Sequence, residues 1–304
     1  MEQYLQYVVN GVQQGAIYAI IAVGYTMVYG VLRMINFAHG EVYMLGAFVA
    51  HLCVINGLYG LGSDNPPAWG IAAMVLTCMA ACMAIGILIE RLAYRPVRNA
   101  PRLIALITAI GMSFLLQNLA LLWFQASPKY ASVESVSRSL SLGGISISLG
   151  QLILLVSSLG MMFVLRILVM KTNFGRGMRA VSEDMGAASL MGVNVDKVIL
   201  GTFAIGAALA GAGGAMTAAF VASPITPYFG FMPGLKAFVS AVLGGIGNIP
   251  GAVLGGLLLG VIEAFVAGNP ALSPYRDAVA FAVLILVLMV RPAGLLGRAT
   301  AEKV

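Results

Sequence analysis

The sequence predicts an all-α fold: a polytopic transmembrane helical bundle of about eight spans, one or two of them broken or re-entrant. Three observations predict it. Charged residues make up 9% of the chain and apolar residues 60%, with a mean hydropathy of +0.96; soluble domains carry roughly a quarter charged residues. The apolar residues come in runs long enough to cross about 30 Å of hydrocarbon as helices, such as Leu103 to Phe124 without one charge. Two polar, glycine-bearing stretches interrupt the pattern, at 33–41 and 244–251. The period-two alternation of a membrane β-barrel is absent, and residues 1–304 are expected to form one transmembrane domain.

Taken in order, the spans fall at 8–31, 40–57, 69–90, 103–124, 147–169, 196–221, 235–267 and 277–291. The opening MEQYLQYVVN lacks the basic start and small-residue cleavage site of a signal peptide, so the first span is expected to insert and stay. Between the spans, GLYGLGSDNPPAW and NPALSPYRD carry turn chemistry. Arginines and lysines gather in ERLAYRPVRNAPR, in MKTNFGRGMRAVSED and in the tail, which the positive-inside rule places in the cytoplasm. A single crossing at 235–267 would put the tail outside, and as one helix it would run about 50 Å. Its middle reads GGIGNIPGAVLGG, so a discontinuous pair that enters and returns to the same face is expected. The N-terminus then falls outside, and 13 of the 17 basic residues, Arg33 among them, fall inside. If 40–57 is itself re-entrant, the N-terminus moves inside and Arg33 outward.

Small residues recur at helix-packing spacing: Gly11 and Gly15, Gly206 and Ala210, Gly251 and Gly255, Gly256 and Gly260. The two halves echo each other faintly, YRPVR against VRPAG, each with one polar interruption. Cys53, Cys78 and Cys82 all sit in apolar runs; Cys78 and Cys82, four apart, have no His or acidic residue nearby, which reads as packing and not as a metal site. The net charge of +6 reports topology, and no basic–aromatic pattern for nucleic acid exists.

No Walker A sequence, nucleophile elbow or HExxH occurs, and only two histidines are present, so covalent catalysis is not expected. In 33–41 the candidates for lining a path are Asn36, His39, Gly40 and Glu41, against a plain inner loop. The break at 244–251 adds Gly247, Asn248 and Pro250. Glu263, alone in an apolar run, is a functional candidate or an outer-interface ion pair. Glu90 and Arg91 read as an interfacial pair, and Gln117 and Asn118 as interhelical hydrogen-bond donors.

The loop 173–197 carries Met178, Val181, Met185 and Ala188 at helical spacing, with Glu183 and Asp184 on other faces. Gly192 reads as a helix stop and Asn194 as a cap for the next span. Its polar face is acidic, which favours docking into a soluble partner over lying on a membrane.

The runs GAIYAIIAVGYTMVYGVLRMINFAHGEVYMLGAF, ERLAYRPVR, RLIALITAIGMS, GRGMRAVSEDMGAASLMGVN and KAFVSAVLGGIGNIPGAVLGGLLLGVIEAF occur in that order. Together they resemble the permease subunits of branched-chain amino-acid ABC importers, and more narrowly the LivH-type subunits. The resemblance implies half of a translocation pore in a bacterial inner membrane. Its implied partners are a second, related permease, two cytoplasmic ATPases that bind the ATP and Mg, and a periplasmic binding protein. It implies no cofactor in this chain. It also implies a cytoplasmic coupling element at Gly175, Arg176, Arg179, Glu183, Asp184, Ala187, Ala188 and Gly192. Permeases for urea or short amides look similar, and a stand-alone transporter or channel is the alternative from another class.

Overall fold

The computed structural model describes residues 2–63, 66–98, 100–131, 133, 139–142, 145–221 and 223–297. Arg138, Arg298 and Lys303 of the charge count lie outside them. Helix α1 (Glu2–Leu32) ends where Arg33 takes a left-handed φ of +53° and its N–H closes on the Tyr29 carbonyl. α2 follows (His39–Ile55), then α3 (Ala68–Ile89), which widens into a π-helical turn at Glu90–Tyr94 and ends in α4 (Arg95–Val97). Pro96 explains the wide turn, because its ring and missing N–H break the ordinary i→i−4 ladder just ahead of it.

α5 (Arg102–Phe124) leads to a hairpin of β1 (Ser139–Leu142) and β2 (Ile145–Ser148), which the spans did not anticipate. A capping box between Ser148 and Gln151 starts α6 (Leu149–Lys171). Two short helices, α7 (Asn173–Glu183) and α8 (Met185–Leu190), precede α9 (Val195–Phe220). The chain closes with α10 (Phe231–Gly244), α11 (Ile249–Ala267) and α12 (Arg276–Val290).

Among the described residues, α1, α3 carried on to Val97, α5, α6, α9, α11 and Ser273–Val290 are long and apolar enough to cross a membrane, while α2 and α10 are shorter. The predicted span 235–267 is two helices, α10 and α11, that pack side by side and antiparallel. A Cβ on Gly15 would stand 2.7 Å from the Leu257 Cα, and one on Gly256 would stand 2.7 Å from the Ala19 amide, so α1 and α11 touch backbone to backbone.

One end of the bundle is basic. There Arg33 donates to the Ser182 carbonyl, and Arg95 and Arg98 each lie 2.7 Å from Asp196 at the start of α9. The 245–248 turn and residues 291–297 meet at the same end, where Leu295 and Leu296 donate to the Leu243 and Gly244 carbonyls. The pairings α1 with α11 and α9 with α3 mirror one another, as do α2 with α9 and α10 with α1. α1 runs toward the basic end and α9 away from it, so α1–α3 and α9–α11 form an inverted repeat. The stretch matching 33–41 in the second half is therefore 221–230, ahead of α10, and not 244–251.

Candidate functional site

The two shorter helices, α2 and α10, begin inside the protein. His39, the first residue of α2, sits edge-on to Tyr25 with ring centroids 4.8 Å apart and abuts Gly24. Gly24 lies eight residues before the end of α1, roughly 12 Å up the helix at 1.5 Å per residue. After Arg33 the chain thus turns back into the bundle and reaches that depth without a helix. Asn36 is buried on this return, and its Oδ1 accepts a 2.9 Å hydrogen bond from Tyr94 Oη.

From the other half, residues 223–230 do the same. Ile225 pairs with Lys129 through two backbone hydrogen bonds, and Phe229 stacks on Tyr43 at 5.3 Å before α10 starts. The first turns of α2 and α10 then touch: a Cβ on Gly40 would stand 2.6 Å from the Gly230 carbonyl oxygen and 3.1 Å from the Gly234 Cα. Only glycine lets these backbones approach so closely. Neither helix start has a side-chain cap, and the positive ends of both helix dipoles face the middle of the protein.

Glu41 lies in the first turn of α2 and is 1% exposed. Its Oε1 accepts from Gln117 Nε2 at 2.7 Å and from Ser113 Oγ at 3.1 Å, both on α5. Its Oε2 and the His39 Nε2 are buried without a hydrogen-bond partner among the described residues. A cavity of about 70 Å³ lies here, lined by Phe37, Gly40, Glu41, Ser113, Gly230 and Phe231 with apolar neighbours from α5 and α10.

Glu263 is not part of this cluster. It is fully buried on α11 and accepts from Tyr18 Oη at 2.8 Å and Arg276 Nε at 2.9 Å. Lys236 Nζ of α10 stands 2.9 Å from its other oxygen, off the angle of a hydrogen bond, and 2.6 Å from Asp277. Two anions and two cations balance, so this is an ion-paired clasp joining α10, α11 and α12. Lys236, Arg276, Asp277 and Tyr18 were not singled out from the sequence. The available signal was a lone Lys and a lone Glu on either side of one helix-breaking turn.

Gly247, Asn248 and Pro250 lie at the basic end, away from Glu41. Gly245 and Gly247 take φ of +102° and +92°, Asn248 Oδ1 caps Gly251, and its Nδ2 donates to the Leu296 carbonyl at 2.8 Å. The residues that the resemblance assigns to a coupling element sit at this end too. Gly175 packs on the carbonyls that close α6, Arg176 donates to Asn173, and Arg179 donates to the Val169 carbonyl. Glu183 is exposed, Asp184 caps Ala187, and Ala188 is buried. Gly192, at φ +82°, ends the segment, and Asn194 caps α9 through Lys197. Just ahead of Gly192, Leu190 and Met191 are 90% and 84% exposed. Gln117 bridges helices as expected, whereas among the described residues Asn118 bonds only to the carbonyl of Phe114 in its own helix. Glu90 is buried and makes no ion pair with Arg91 among the described residues.

Residues 7–288 match a family described as branched-chain amino acid transport system permease component. The chain is 47% identical to the high-affinity branched-chain amino acid transport system permease protein LivH of Salmonella typhimurium, covering 99% of this chain and 98% of that protein. It is also 47% identical to the corresponding protein BraD of Pseudomonas aeruginosa, with the same coverage. More distantly, it is 27% identical over 89% of its length to the autoinducer 2 import system permease protein LsrC of Yersinia enterocolitica, 71% of which is covered. No solved structure matches the chain.

Proposed function

The chain belongs to the family of branched-chain amino acid transport permeases, and from that premise we propose that it forms half of the pore of an ATP-driven importer for leucine, isoleucine and valine. The observation that carries this reading is the meeting of α2 and α10 in mid-bundle, where the Gly40 backbone lies against Gly230 and Gly234. A chain that only packed in lipid would keep its non-helical backbone out of the hydrocarbon. Here 33–38 and 223–230 leave helical structure inside the protein, which is tolerated only where protein or a water-lined path covers them. Paired half-helices starting at one depth are the arrangement of a transport site.

In this reading the basic end is cytoplasmic by the positive-inside rule, which puts the C-terminal side of α12 inside the cell and the start of α1 outside. The α7–α8 corner then projects into the cytoplasm with Leu190 and Met191 at its tip, positioned to dock into the groove of an ATPase subunit. A second, related permease completes the pore against the α5 and α10 face. ATP and Mg belong to the two ATPases, and a periplasmic binding protein delivers the cargo. Nucleic acid has no place in the assembly, and the membrane is the bacterial inner membrane.

The test is to purify the chain with its co-expressed neighbours and reconstitute it with the binding protein. ATP-dependent uptake of labelled leucine, with none of urea, is the expected result. Recovery without any ATPase, transport by this chain alone, or uptake of urea in place of leucine would each overturn the reading.

A further inference from the structure

On the reading above, that the cargo is a zwitterionic amino acid, we propose that Glu41 receives the ammonium group of the passing substrate while the start of α10 receives its carboxylate. Glu41 is 99% buried, since its relative exposure is 1%, yet no cationic side chain pairs with it among the described residues. A buried carboxylate left without a cation is costly. The contrast lies within the same protein, where Glu263 is met by both Lys236 and Arg276. Ser113 and Gln117 hold Oε1 and fix the carboxylate plane, which leaves Oε2 as the one open acceptor.

The cavity beside Glu41, at about 70 Å³, exceeds the ~10–15 Å³ that one water needs, and an ammonium group is close to water in size. Gly230 and Phe231 at the start of α10 line the same cavity; no side chain caps this helix, and although the Phe231 N–H is bonded to the Tyr228 carbonyl and Pro233 has none, the positive end of its dipole favours an anion. Phe37, Ile110, Phe114, Phe231 and Leu235 line the same cavity with apolar surface, which suits an aliphatic side chain. A carboxylate, a helix start that favours an anion and an apolar wall in one cavity suit an apolar α-amino acid, whose two charged groups share one carbon and whose side chain projects away from them, and mismatch urea, which carries no charge.

The experiment reads the charge preference directly, in membranes holding the full co-expressed complex. Ile110→Cys places a thiol on the cavity wall at a residue 40% exposed, while the three native cysteines are buried. An ammonium-bearing methanethiosulfonate should modify it at least tenfold faster, above the background of the unsubstituted chain, than a neutral reagent of the same size. Adding Glu41→Gln should erase that ratio. In the complex with its native cysteines, leucine uptake should fall at least tenfold for Glu41→Gln and recover in part for Glu41→Asp. Equal modification rates for the two reagents, or a preference that survives Glu41→Gln, would overturn the ammonium site. A complex that keeps the preference but transports no branched-chain amino acid would overturn the functional reading and leave the cation site standing.

Discussion

Gly40 of α2 lies against the Gly230 carbonyl that opens α10, leaving 2.6 Å for any Cβ that took its place. Both neighbours are backbone, so neither can swing aside. Gly40→Ala is expected to cost about 1–3 kcal/mol of stability, as overpacked cores do. Gly40→Val should abolish leucine uptake, because it pushes the two half-helices apart. Thermal unfolding and uptake of the reconstituted complex check both, and wild-type behaviour of Gly40→Val would show that the contact is not needed.

The return of the chain after Arg33 is pinned by Tyr94, whose hydroxyl donates to the buried Asn36 at 2.9 Å. Tyr94→Phe keeps the ring on Phe203, with centroids 5.0 Å apart in the native protein, and removes only the donor. Leaving a buried acceptor unpaired costs about 1–3 kcal/mol. The expected signature is a lower melting temperature together with faster amide exchange confined to 34–39. Uniformly faster exchange would mean that the bond holds the whole bundle and not this segment.

The clasp around Glu263 yields an ordered series. Glu263→Ala leaves Lys236 and Arg276 without their shared buried anion and is expected to cost about 3–5 kcal/mol. Lys236→Met should cost less, because Arg276 still holds the carboxylate through Nε at 2.9 Å. Lys236→Met with Glu263→Met together should recover part of the loss, because it removes a buried cation and its buried anion at once and leaves the more exposed Arg276 and Asp277 to water. Unfolding in detergent measures all three, and a double variant no more stable than Glu263→Ala would contradict the ion-pair account.

Most of the fold was legible because the membrane imposes it. Seven of the eight predicted spans match one helix each, with ends within six residues, and 235–267 is the expected pair, with the glycine-rich string at 244–251 marking the turn between α10 and α11. Depth was harder to read. The polarity of 33–41 could not say whether it was an end loop or an internal return, since that depends on His39 packing against Gly24 from another helix. The matching return at 221–230 carries little polarity and so gave no signal. It is held by backbone pairing between Ile225 and Lys129, which side-chain patterns do not encode. Lys236 escaped for a related reason: a lysine inside an apolar run is explained only by the acid facing it from across a turn.

The corner at α8 offers the sharpest test of assembly. Apolar side chains as exposed as Leu190 and Met191, at 90% and 84%, stand in water at the basic end unless a partner covers them. Their neighbours are already committed: Ala188 of α8 is buried, Asp184 caps Ala187, and Arg33 reaches the Ser182 carbonyl, so the corner is tied to the end of α1. Replacing both tips, Leu190→Asp with Met191→Asp, touches none of these contacts and should leave the folded permease intact. Association with the ATPase subunits should weaken by at least tenfold, about 1.4 kcal/mol. Glu183→Lys, on an exposed face of the neighbouring α7, is expected to weaken association as well. Co-purification and binding-protein-stimulated ATP hydrolysis measure the effect. Undiminished association of the double variant would place the ATPase contact elsewhere on the basic end.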